Sequence, residues 1–253
     1  MTYDDLLLKE PMESDDYQEC SKFVVDSINA IMQSVMDSGE NKIVINTNLK
    51  LGLPMENINK VAGPFVEAWA IEKFNEAFCS GSFELLNVEA GERLNMADII
   101  LQFKMRRKRT SAVTGNVDVK ATSNDIPNSG KSPNITSFAR IRSAYVNDPD
   151  FIFIILSMKH KVYSETSTTS GMKNGIMEVV DFNTYDLKLI SERDISYNPA
   201  LGTGQIQIRD IHYVSIVNRT TNEFCKLLDK KFIASKKGFV GWLEYAEKKG
   251  WIK

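Results

Sequence analysis

Histidine is nearly absent from these 253 residues, with two in all, and cysteine occurs three times (Cys20, Cys79, Cys225) without a CxxC pair. A histidine-based mechanism and a Cys/His zinc site are therefore poor candidates. The odd, widely spaced cysteines read as reduced thiols, which points to the cytoplasm. No apolar run approaches the ~18–20 residues that a membrane span needs. The opening MTYDDLLLKEP lacks a basic stretch followed by an apolar one, so no secretory signal is expected. A strong charge of one sign is missing too. The formal net charge is −2, which argues against an indiscriminate nucleic-acid binder. Glycine and proline, at 14 and 7, are too sparse for a low-complexity or fibrous chain.

What is present is an ordinary globular composition, 43% hydrophobic and 25% charged, in a chain long enough to bury a core without staples. No linker divides it and no repeat is visible, so residues 1–253 are expected to form a single domain. Charge is unevenly spread. Residues 1–17 hold six acids against one lysine, residues 226–253 hold eight lysines against three acids, and a basic knot follows Lys104 (Arg106, Arg107, Lys108, Arg109). Such runs are ordinarily solvated surface.

Helical spacing predicts helices over 16–37, from Gly63-Pro64 to about Phe78, and over 136–146, 221–234 and 238–249. Strands are expected at 42–48, 84–90, 97–105, 113–122, 151–156, 176–182 and 205–210. FIFIIL (151–156) is continuously apolar, the mark of a strand covered on both faces. The fold class that follows is α/β, a central mixed sheet with helices on both faces.

One constellation carries chemistry. Asp98 opens one alternating strand, and Asp118-Val119-Lys120 lies in the next, with Asp118 and Lys120 on one face. Two carboxylates held together repel unless a divalent cation lies between them, and hard oxygen donors suit Mg²⁺. A neighbouring lysine can hold an attacking water. This arrangement matches the PD-(D/E)xK nuclease motif. The tripeptide alone says little, because acid-x-Lys also occurs at Glu40, Asp186, Asp229 and Glu247. Only at Asp118 does an alternating strand with its own acid precede it; a solvated strand face with ordinary ion pairs remains open on pattern alone. Glu67 is expected on the helix face of Ile71, Phe74 and Phe78, where a carboxylate needs a partner. The loop SNDIPNSGKSPNITS (123–137) offers amide, hydroxyl and lysine donors of the kind that read base edges, and equally suits an ordinary polar loop.

On these residues the chain resembles the type II restriction endonucleases, and within them the HpaI family. INTNLKLGLPMENINKVAGP (45–64), ADIILQF (97–103), TGNVDVKATSNDIPNSGKSPNITSFARIRSAYV (114–146), FIFIILS (151–157) and ISYNPALGTGQIQIRDIHYVS (195–215) carry the likeness. Fainter echoes in AGPFVE, ADIIL, VDVK, SPNI and QIQ are similar to the HincII enzymes. The resemblance implies a restriction-endonuclease-like core and a homodimer that cuts double-stranded palindromic DNA with Mg²⁺. The expected site is GTTAAC, cut in the middle to leave blunt ends with 5′-phosphate and 3′-hydroxyl. It also implies a cognate DNA methyltransferase as a functional partner. Asp98, Asp118 and Lys120 then match the catalytic set, and Glu67 the accessory acid. Asp98, Asp118 and the Val119 carbonyl match the metal ligands. Asn124, Lys131, Ser132, Asn134, Thr136, Asn198, Gln205 and Gln207 match DNA contacts. Ala97 stands where the strict motif has proline. A repair or recombination nuclease on the same core, and a DNA-binding module without catalysis, are the competing expectations.

Overall fold

The computed structural model describes residues 2–92, 95–105, 112–200, 202 and 204–253. The basic knot at 106–109 lies outside the described residues. In chain order the elements are α1 (Tyr17–Asp37), β1 (Lys42–Ile45), α2 (Met55–Ile58), α3 (Ala62–Ser80), β2 (Leu85–Ala90), β3 (Ile99–Lys104) and β4 (Ala112–Ser123). There follow β5 (Asn134–Ser137), α4 (Phe138–Asn147), β6 (Ile152–Thr166), β7 (Lys173–Asp186), β8 (Ile195–Asn198), β9 (Gln205–Ile208), α5 (Thr221–Ile233) and α6 (Gly238–Lys249). Among the described residues no helix is long and apolar enough to cross a membrane. The chain forms two compact units, one of residues 23–130 and 154–185, the other of 1–22, 131–153 and 186–253.

The first unit is built on a mixed six-stranded sheet in the order β1-β7-β6-β4-β3-β2. Ile99, Leu101 and Phe103 of β3 and Val113, Gly115 and Val117 of β4 point to one face, as period two requires. There they meet α1. Phe103 stacks edge-on against Phe23 with ring centroids 6.2 Å apart, and a Cβ on Gly115 would come within 2.7 Å of Val24. Val24, Ile28, Ile31, Met32 and Val35 form the buried stripe of that helix. Helix α3 packs on β2 and β4 and ends at Gly81, whose φ of +65° supplies the left-handed cap. Phe153, Ile154, Ile155 and Leu156 are fully buried in β6, as an apolar run covered on both sides demands.

The β6–β7 hairpin is longer than periodicity indicates. Its outer half is carried by cross-strand polar pairs, such as Tyr163 Oη donating to Glu178 Oε2 at 2.6 Å, so burial leaves no apolar signature there. His160 lies within β6, with Nε2 3.0 Å from Asn59 Oδ1.

The second unit pairs β5, β9 and β8 in a three-stranded antiparallel sheet. β5 and β8 are four residues each, too short to declare themselves as strands. Helix α5 starts on a capping box: Thr220 Oγ1 accepts from Glu223 N at 3.1 Å, and Glu223 Oε2 accepts from Thr220 N at 2.8 Å. The core centres on Asp229, fully buried, whose carboxylate accepts from Arg142 Nε and Nη2 (2.9 and 3.0 Å), Tyr3 Oη (2.8 Å) and Trp242 Nε1 (2.7 Å). The Arg142 guanidinium also lies 4.2 Å from the centre of the Trp251 ring. One carboxylate thus ties the N-terminal segment to α4, α5 and α6.

Candidate active site

Strand register decides where the acids fall. Ile99 pairs with Val117 at the end of the antiparallel β3–β4 ladder, and Asp98, the residue before it, lies close enough to Asp118 for the two charges to repel. Asp98 is held on three sides. Its N–H donates to the Val117 carbonyl (2.9 Å), its own carbonyl accepts from Gly91 N (2.7 Å), and its Oδ2 accepts from Val119 N (2.7 Å). The carboxylate thus takes an acceptor position in the ladder just where β3 begins. Gly91 belongs to the site as well. A Cβ there would collide with the Ala97 carbonyl and displace the backbone that carries Asp98.

Asp118 is 4% exposed. Burial is the main influence on its carboxyl, raising it to about 7; the negative charges of Asp98 and Glu67 push the same way, and the Lys120 ammonium opposes them. Lys120 Nζ lies 2.7 Å from Asp118 Oδ2 and 3.5 Å from the Val119 carbonyl. It approaches the carboxylate off the direction of a good hydrogen bond, so Oδ2 is ion-paired yet lacks a well-aligned donor. Glu67, half-buried on α3, has its carboxyl raised by burial and by Asp98, with Lys120 opposing. The buried stripe of α3 runs through Val66, Trp69, Ala70, Phe74 and Ala77. Glu67 flanks that stripe, and Phe78, expected to share its face, is 41% exposed. The acid therefore borders the core on the side of the sheet where Asp98, Asp118 and Lys120 lie.

One buried carboxylate with a poorly satisfied oxygen, repelled by two partly exposed ones, forms a donor set that fits a hard divalent cation. Among the described residues no three acidic, histidine or cysteine side chains converge closely enough to hold an ion unaided. The expected set needs only two carboxylates, Asp98 and Asp118, with the Val119 carbonyl and oxygens from substrate or water.

The expected DNA contacts divide between the two units. Asn124 is exposed after β4, its N–H bonded to the His160 carbonyl at 2.7 Å. In the other unit, Asn134 pairs with Gln207 across β5 and β9, and Asn198 with Gln205 across β8 and β9. Gln207 Nε2 donates to the Ser132 carbonyl (2.9 Å) and to Asn134 Oδ1 (3.0 Å), which orients both amides. Ser132 adopts φ +51°, with its N–H on the Arg209 carbonyl at 3.1 Å, and Lys131 bridges to Asp210. Lys131, Ser132 and Asn134 are exposed, and Asn198, Gln205 and Gln207 partly so. Thr136 differs from these in being buried, at 6% exposure. Gly91 is the residue that sequence reasoning missed, because only the fold brings it against Asp98.

Comparison with known proteins follows this geometry. Residues 4–250 match the family described as Type II restriction endonuclease HpaI. Over 230 residues the chain is 58% identical to the type II restriction enzyme HpaI of Haemophilus parainfluenzae, covering 90% of this chain and 89% of that protein. A solved NlaIV restriction endonuclease superposes with a TM-score of 0.45 at 13% identity, over 88% of this chain and 87% of that one.

Proposed function

The chain belongs to the HpaI family of type II restriction endonucleases, and from that premise we propose that it is a Mg²⁺-dependent homodimer in the cytoplasm, cutting GTTAAC in double-stranded DNA at its centre. The products are blunt ends carrying 5′-phosphate and 3′-hydroxyl. A methyltransferase of the same specificity protects the host sites. The observation that carries the catalytic assignment is Asp98 within electrostatic reach of Asp118, its carboxylate on the Val119 N–H, with the Lys120 ammonium 2.7 Å from Asp118.

Asp98, Asp118 and the Val119 carbonyl would hold the metal ion, and a Mg²⁺ bound there would supply polarisation of the scissile phosphate and a more acidic water. Asp98 is pinned by backbone contacts, so its carboxylate is oriented before substrate arrives. Lys120 positions the attacking water and stabilises charge growing on the phosphate in the transition state. Glu67 adds an acid on the same side of the sheet and maintains the negative potential that draws a cation in.

Asn124, Lys131, Ser132, Asn134, Asn198, Gln205 and Gln207 meet the DNA. Gln207, by spending its amide donors on Ser132 and Asn134, fixes the orientation in which the Asn134 amide reaches a base edge. A palindrome is matched by a twofold dimer with one active site per strand. The easily unstacked central TA step adds selectivity through deformation.

A plasmid with one GTTAAC site tests this directly. Incubation with protein and Mg²⁺ is expected to linearise it, and sequencing the termini fixes site, cut position and end chemistry together. An uncut plasmid across a range of salt refutes the specificity, while fragments without a common terminal sequence favour a structure-directed nuclease.

A further inference from the structure

The lysine-rich C-terminal segment takes no part in the site described above. Four of its eight lysines gather at one corner: Lys230 and Lys231 close α5, and Lys236 and Lys237 stand in the turn before α6. No acidic residue occurs from Lys230 to Leu243. The preceding acid, Asp229, is turned inward and occupied by Arg142, Tyr3 and Trp242. Lys230 and Lys236 are exposed. The corner thus carries four lysines with no acid between them along the chain, a surface suited to a polyanion.

Its placement says which polyanion. Lys237 Nζ donates to the Gly202 carbonyl at 2.6 Å, in the turn between β8 and β9, and lies 5.8 Å from the Phe232 ring centre. Phe232 packs against Tyr197 of β8 and Phe138 of α4, with centroids 5.1 and 4.8 Å apart. Tyr197 presses on Gly204, which has φ +87° and leaves no room for a Cβ. The Gly204 carbonyl in turn accepts from Phe138 N at 3.1 Å. The lysine corner and the strands bearing Asn198, Gln205 and Gln207 therefore share one packed base. A surface fixed rigidly beside base-reading groups meets the backbone of the same duplex.

We propose that the α5–α6 corner is a further DNA-contacting element, in which Lys230, Lys231 and Lys236 meet backbone phosphates, and that Lys237 is a positioning residue coupling this corner to the β8–β9 turn. The proposal rests on the DNA-cutting function inferred above. Ammonium groups on phosphate add affinity independent of sequence, whereas the turn they anchor bears on discrimination.

The test uses the full-length protein, Lys230→Ala/Lys236→Ala, Lys237→Ala and Lys237→Arg. Binding is measured by fluorescence anisotropy in EDTA, on duplexes of about 30 base pairs with and without GTTAAC, over a series of salt concentrations. The double variant is expected to lose about tenfold in affinity for both duplexes alike, and its slope of log affinity against log salt to shrink by about 2. Lys237→Ala is expected to raise cleavage of sites altered at one base relative to GTTAAC in Mg²⁺, with Lys237→Arg restoring discrimination. Wild-type protein that binds duplex with a salt slope unchanged in the double variant overturns the corner and leaves the nuclease function standing. Unchanged discrimination in Lys237→Ala overturns the positioning role. Wild-type protein that binds neither duplex removes the DNA-cutting function and the corner with it.

Discussion

Asp118 is the residue at which burial and charge conflict most sharply. Its carboxyl, raised to about 7 in the folded protein, lies well above the ~4 of an unfolded aspartate. Folding therefore favours the protonated form. The stabilisation is complete below about pH 4 and is lost as pH rises through 7. Urea unfolding of the metal-free protein is expected to give a lower midpoint at pH 8 than at pH 5. Asp118→Asn, which cannot ionise, is expected to flatten that dependence and to abolish plasmid cleavage while leaving far-UV circular dichroism unchanged. Lys120→Met removes the ammonium but keeps the stem, and cleavage is expected to fall by about 10²–10⁴-fold with duplex binding retained. The residue types at this site were legible in the sequence, because an acid opening one alternating strand and an acid-x-Lys in the next admit few arrangements. The Gly91 contact was not, since nothing in its local sequence announces a neighbour seven residues away.

At the scale of elements, the active site depends on the start of β3 holding its place. Gly91→Ala is expected to push the Ala97–Asp98 backbone out of line, costing cleavage by more than tenfold at little loss of secondary structure; near-normal cutting would show that this backbone is free to shift. The Arg142–Asp229 pair plays the corresponding part in the helical unit. Arg142→Ala strands a fully buried carboxylate, and a loss of about 3–5 kcal/mol in urea unfolding is expected. Helices and the inner strands were legible because their burial has a period: 3.6 in α1, two in β3 and β4. β5 and β8 were not. Four residues do not establish a period, and these segments become strands only by pairing with β9. The outer β6–β7 hairpin escaped notice for a related reason, since it is held by polar cross-strand pairs.

For the molecule as a whole, the proposed palindromic target would be matched by two copies, and size-exclusion chromatography with light scattering is expected to give twice the 28.6 kDa of one chain. A monomer at micromolar concentration, still cutting both strands, would overturn that expectation. The candidate catalytic residues and Asn124 fall in one compact unit and the other expected DNA contacts in the second, although the sequence runs from Asp118 to Asn134 without a linker. The amino-acid sequence by itself determined the α/β class and the helix-covered mixed sheet, because periodicity is a local property, and the family through its likeness along the chain. Only the tertiary structure decided that Asp98 comes within reach of Asp118, that Gly91 admits no side chain beside Ala97, that Thr136 is buried and that Lys237 reaches Gly202. Each of these depends on strand register or on contacts between segments distant along the chain, and neither is encoded in any window short enough to be read by pattern.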